Sequence, residues 1–185
     1  MNVLVKKLLD LNQIEFGNET IQMEHFDIVA TIGNILSNAE ILFKQKDVTL
    51  KFNASHPVYV WGDVYMVEEV FTNYMSNALN HISGDHIMEV SVRIDNDLAY
   101  ISVFNTGSQI PEQELDQIWT KFYKVDKART REYGGSGVGL SIVKATMERL
   151  GQSYGVLNRD NGVEFWFTLD ASSGINDIDL SKQVK

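Results

Sequence analysis

Cysteine is absent from the 185 residues, so disulfides and thiolate metal sites are excluded outright. Also missing is any apolar run of the roughly 18–20 residues that a membrane-crossing helix needs, and no secretory leader pattern opens the chain. A soluble protein is expected. Excess positive charge is lacking too: the net charge of −9 argues against non-specific binding to nucleic acid or to an anionic membrane surface. No internal repeat or low-complexity tract occurs. No Gly-Lys-Ser/Thr occurs either, which excludes the P-loop route to phosphate binding.

What is present suits one domain with short appendages. Hydrophobic residues make up 44% of the chain, enough for a real core. Residues 1–11 read as a helix end, followed by a loop around Phe16, Gly17 and Asn18. An amphipathic helix is predicted from Asp27, its N-cap, to Gln45, with Ile28, Val29, Ile32, Ile35, Leu36 and Ile41 at helical spacing. Strands follow at Val48–Asn53 and Val58–Trp61, then a helix capped by Asp63 and running to Ile82. Ile87–Ile94 and Leu98–Phe104 form a hairpin through Asp95, Asn96 and Asp97. The segment Asn105–Gly139 carries only short helical pieces and is too long for a mere connection. A helix from Leu140 to Leu150 ends at Gly151, and strands near Ser153–Leu157 and Val163–Leu169 close the domain before a polar tail from Ala171. Helices among paired strands, without strict βαβ alternation, predict a mixed, largely antiparallel sheet with helices on one face.

Three segments carry chemistry. On the helix after Asp63, Glu69, Asn73, Asn77 and Asn80 fall within an arc of roughly 80° at about 100° per residue, while Val67, Phe71, Tyr74 and Ala78 fall on another side. Asparagine is a poor helix former, so three on one stripe suggest a use for the amides, such as a hard oxygen ligand for Mg²⁺. A merely polar face is the plainer alternative. The second segment, Gly134 to Gly139, opens directly into the next helix. Glycine permits close backbone approach, and a helix N-terminus offers N–H groups to phosphate. Just before it, Lys121, Lys124, Lys127, Arg129 and Arg131 stand against the single acid Asp126, either a solvated loop or a site for a small polyanion. The third, Val103 to Pro111, ends a strand on a polar side chain, Asn105, with Gly107 two residues on. It could present one hydrogen-bonding group and bare backbone to a flat ligand.

In this order the segments resemble the catalytic domain of sensor histidine kinases, in the GHKL ATPase superfamily. DVYMVEEVFTNYMSNA (63–78) resembles the N box, VFNTGSQIP the G1 box, IWTKFY (118–123) the F box and GGSGVGLSIVK the G2 box. The match spans about residues 24–170. Residues 1–23 resemble the tail of a preceding dimerisation helix with its linker, and 171–185 form a C-terminal tail. The resemblance implies a Bergerat-type two-layer α/β sandwich, with about five strands, about three helices on one face and a long ATP lid. It implies ATP and Mg²⁺ as ligands, with Asn73 holding the metal and Asn73 and Lys124 serving catalysis. Asn77 would face the phosphates and Asn105 the adenine amino group. Gly107 would admit the base, on which His81 could pack, and Asn80 and Ile110 would also bind the nucleotide. Phe122 would anchor the lid, with Lys124 and Arg129 near phosphate. Gly135, Ser136, Gly137, Val138, Gly139 and Leu140 would wrap the triphosphate.

Some residues depart from the family pattern. Asn105 replaces an aspartate, giving a neutral and therefore weaker acceptor whose NH₂ end could accommodate a guanine-like carbonyl. Gln109 replaces the second glycine of the G1 box, and Asn80 and His81 stand where a lysine and an aromatic are common. None of His25, His56, His81 and His86 lies in the family's phosphoacceptor pattern. The implied partners are therefore a dimerisation domain bearing the acceptor histidine and, through it, a response regulator. The parent would be a membrane-anchored sensor with this fragment, a monomer, on the cytoplasmic side. Two other readings stay open. Glu69 could activate water, as in topoisomerase or mismatch-repair ATPases, or the chain could be a degenerate nucleotide-binding regulator.

Overall fold

The computed structural model describes residues 3–17, 20–54, 56–123 and 137–172. Helix α1 (Val3–Phe16) extends beyond the expected end at residue 11 and stops where the Gly17 N–H returns to the Gln13 carbonyl at 2.8 Å. Strand β1 (Glu24–Asp27) was not expected, because Glu24, His25 and Asp27 are polar and Phe26 alone shows no apolar alternation; it is defined by pairing with β3 (Tyr59–Gly62).

The helix predicted over 27–45 is two helices, α2 (Ile28–Asn38) and α3 (Glu40–Gln45). Asp27 is the N-cap as expected, its Oδ1 accepting from the Val29 and Val58 N–H groups at 3.0 and 3.1 Å. The break comes at Ala39, whose ψ of 1° leaves the helical region and whose N–H is shared between Ile35 and Leu36 carbonyls. Hydropathy periodicity runs through such a kink without registering it.

Strand β2 (Thr49–Asn53), helix α4 (Val64–His81), the hairpin β4 (Ile87–Asp95) and β5 (Leu98–Thr106), helix α5 (Gly139–Leu150), and strands β6 (Tyr154–Arg159) and β7 (Gly162–Asp170) fall within a residue or two of expectation. Asp63 caps α4 by accepting from Met66 N–H, and Gly151 ends α5 at φ 66°. Two short 3₁₀ turns, Glu112–Glu114 and Gln117–Trp119, follow β5.

The sheet has seven strands rather than about five, in the order β1-β3-β7-β5-β4-β2, with β6 also on β7. Among the described residues only β2 and β4 pair in parallel; the other pairs are antiparallel. One sheet face presents Val60, Met88, Val90, Ala99, Ile101, Val103, Phe165, Phe167 and Leu169, all buried, to α2, α4 and α5. Tyr74 of α4 joins the two layers. It is fully buried, lies 5.2 Å from the Phe165 ring, and donates from its hydroxyl to the Trp166 carbonyl at 3.1 Å. The result is the expected two-layer mixed sandwich, helices on one face. A small second cluster, Leu11 with Val138 and Ile142, seats α1 on α5.

Candidate nucleotide site

The core-facing stripe of α4 fixes the helix roll, and that roll turns the asparagine stripe toward the start of α5. Asn73 is 8% exposed. Its Nδ2 donates to the Glu69 carbonyl one turn back at 2.9 Å, which leaves Oδ1 turned away from its own helix. That oxygen faces Gly139, the first residue of α5: a Cβ added there would lie 2.9 Å from it. Glycine is needed at 139 for this approach. Asn77 and Asn80 are half-buried on the same stripe.

Among the described residues the N-terminus of α5 has no side-chain cap, since its N-cap residue is the apolar Val138; Ser141 Oγ donates to the Val138 carbonyl. Val138 is fully buried against Leu11, so it positions the turn, whereas Leu140 packs on the main core. Gly137 has φ 69°, a conformation that side chains rarely adopt. Its carbonyl accepts from Phe122 N–H at 2.8 Å, and a Cβ at 137 would meet the Phe122 backbone at 3.0 Å.

Phe122 therefore anchors this segment through its backbone. Its ring is 56% exposed, and its own φ is 65°, a costly value for a bulky residue. The packed aromatic here is Trp119, edge-on to Tyr154 at 4.8 Å and to Phe165 at 6.0 Å. Nearby, desolvation and then a hydrogen bond to Glu114 push the Tyr123 phenol above its usual range.

At the other end of α4, Asn105 is 2% exposed, and its Nδ2 donates to the Thr106 carbonyl at 3.1 Å. Flipping the amide would set oxygen against oxygen, so Oδ1 is the atom left for a ligand. Gly107 touches α4: a Cβ there would lie 2.6 Å from the His81 carbonyl and 3.4 Å from both Asn105 Nδ2 and Ser83 Oγ. The His81 side chain is exposed, and its carbonyl is the atom that faces Gly107.

The site residues thus form two groups along α4. Asn73, Gly139 and the Gly137–Val138 turn meet at one; Asn105, Gly107 and the carbonyl of His81 meet at the other. Lys124, Arg129, Gly135 and Ser136 lie outside the described residues. The motifs did not reveal what holds the turn after β5. Asn158 bonds both ways to Ile110, Gln109 reaches the Arg159 carbonyl, and Gly107 N–H reaches the Asn161 carbonyl. In the sequence no role attaches to Asn158–Gly162, the stretch between the two closing strands.

A family model described as histidine kinase-, DNA gyrase B-, and HSP90-like ATPase matches residues 62–173, from the end of β3 past β7. The chain belongs to this ATPase family. Sensor histidine kinase WalK of Bacillus subtilis is 32% identical over 150 residues, covering 80% of this chain and 24% of WalK. Full-length ShkA in complex with AMPPNP shares the fold with a TM-score of 0.78 at 20% identity, over 91% of this chain and 36% of that one. Histidine kinase ThkA in complex with the response regulator TrrA gives 0.74 at 22% identity, over 91% and 46%. The chain spans about a quarter of the length of WalK. Within this ATPase fold the Gln109 departure has a physical basis: Gln109 is not among the positive-φ residues, so its backbone does not need glycine, and its side chain makes a tie that glycine lacks.

Proposed function

We propose that the chain is the ATP-binding catalytic domain of a two-component sensor histidine kinase. It transfers the γ-phosphoryl group of ATP to a histidine on a separate dimerisation domain, from which a response regulator takes it. Residues 24–170 are the catalytic domain, 1–23 the end of the dimerisation helix with its linker, and 171–185 a tail. The parent is membrane-anchored with this domain on the cytoplasmic side. Among the described residues no helix is long and apolar enough to cross a membrane.

One observation carries the reading: an amide oxygen from α4 lies against the glycine that opens α5. A triphosphate seated on the α5 N–H groups would have its oxygens beside Asn73 Oδ1, a donor suited to Mg²⁺. Asn73 would hold that cation, which when bound neutralises charge on the phosphate oxygens. Asn77 lies along the same stripe toward the phosphates. Asn105 Oδ1 accepts from the adenine amino group, and Gly107 lets the base lie close to the chain. By the family resemblance, Lys124 and Arg129, with Gly135 and Ser136, would contact phosphate. The domain positions and stabilises charge; the attacking imidazole comes from the partner domain.

The test is phosphotransfer from γ-labelled ATP to a dimerisation domain supplied in trans. Label is expected on the acceptor histidine with the parent chain and not with Asn73→Ala. ATP hydrolysis without an acceptor, abolished in Glu69→Gln, would instead favour a water-activating ATPase.

A further inference from the structure

The end of β6 and the turn into β7 lie outside every segment that resembles a nucleotide motif, yet they make four hydrogen bonds to the base-side turn. Ile110 N–H donates to Asn158 Oδ1 at 2.9 Å, and Asn158 Nδ2 donates to the Ile110 carbonyl at 2.7 Å. Gln109 Nε2 donates to the Arg159 carbonyl at 2.6 Å, and Gly107 N–H to the Asn161 carbonyl at 3.0 Å. Gly162 closes the turn against Asn105, where an added Cβ would collide with the Asn105 carbonyl at 2.0 Å.

We propose that Asn158, assisted by Gln109, is a positioning residue for the nucleotide base. The inference rests on the nucleotide reading above. Residues 107–110 leave the sheet at the end of β5 and have no strand partner among the described residues to fix their path. The reciprocal amide of Asn158 replaces that partner, pairing with both main-chain polar groups of Ile110 as a strand residue would. With Ile110 held, Gly107 stays against the His81 carbonyl and Asn105 Oδ1 keeps its direction. Without it, the turn is released and must be ordered again when a base binds, which costs affinity. Glutamine at 109 adds a second tie, through its side chain to the Arg159 carbonyl.

Binding of ATP·Mg²⁺ and of Mg²⁺ tripolyphosphate, which has no base, is measured by competition against a fluorescent ATP analogue. The parent, Asn158→Ala and Gln109→Gly are compared, each with its unliganded melting temperature. Asn158→Ala is expected to weaken ATP about tenfold and Gln109→Gly about threefold, as loss of one or two ordinary hydrogen bonds would. Tripolyphosphate affinity and the unliganded melting temperature of Gln109→Gly should hold. Equal weakening of ATP and tripolyphosphate means a general structural loss and overturns the proposal, as does unchanged ATP affinity in both variants. Should Asn158→Ala fail to fold, Gln109→Gly decides by the same two ratios. A parent chain that binds tripolyphosphate and ATP equally well overturns it too, since then no base contact exists to be positioned. A parent that binds neither removes the nucleotide reading itself, a distinct result.

Discussion

At the residue scale the site depends on how two buried amides are turned. Asn73 gives its NH₂ to Glu69, and Asn105 gives its NH₂ to Thr106, so each keeps an oxygen for a ligand. For Asn105 this bears on base choice: with the NH₂ committed, an amino group on the base is favoured over a guanine-like carbonyl. ATP should therefore compete better than GTP for the domain, and equal competition would refute the orientation argument. The same geometry bears on Asn105→Asp. A carboxylate oxygen would replace the NH₂ at 3.1 Å from the Thr106 carbonyl. The unliganded variant should lose roughly 1–3 kcal/mol, the cost of a buried polar group facing no donor. Urea unfolding with and without ATP measures this. A variant as stable as the parent when unliganded would mean that the Thr106 bond contributes nothing.

Elements set where these amides stand. Most were legible from periodicity and caps, because Asp27, Asp63 and Gly151 each do locally what their residue type favours. β1 and the break at Ala39 were not: the first exists only through β3, and the second leaves the apolar stripe unbroken. The convergence of Asn73 on α5 was expected from the motif order, whereas the Asn158 clamp was invisible because no residue pattern announces a side-chain pair between the end of β6 and the backbone of Ile110. α5 offers the element-scale test. In Gly139→Ala, alanine should favour the first turn of the helix by at most about 0.5 kcal/mol, while its Cβ crowds Asn73 Oδ1, so the two effects oppose each other in stability. Nucleotide binding has no such offset. Thermal melting is expected to move little while ATP affinity falls at least tenfold; an unchanged affinity would show that Asn73 does not contact the ligand.

On the scale of the whole molecule, two contacts between layers differ in kind. α1 is attached through Leu11, and through Arg149 Nη1, which donates to the Ile14 carbonyl at the end of α1. Leu11→Ala should cost about 2–4 kcal/mol. It should be read as faster hydrogen exchange in α1 with α4 unchanged, since few contacts carry the strain onward. Tyr74, in contrast, ties α4 to β7 inside the main core, and burial pushes its phenol well above the ordinary range. The folded state thus resists losing that proton more than the unfolded chain does. Stability from this group is complete below the ordinary phenol pKa of about 10 and falls as pH rises beyond it. Tyr74→Phe should cost about 1 kcal/mol near pH 7, for the lost bond to the Trp166 carbonyl. Self-repulsion of an acidic chain also grows at high pH, but it acts on parent and variant alike. Between about pH 9 and 11 the parent should therefore lose more stability in urea titrations than Tyr74→Phe does. Parallel curves would mean that Tyr74 ionises in the folded state as freely as in the unfolded chain, and that water reaches the seam between the layers.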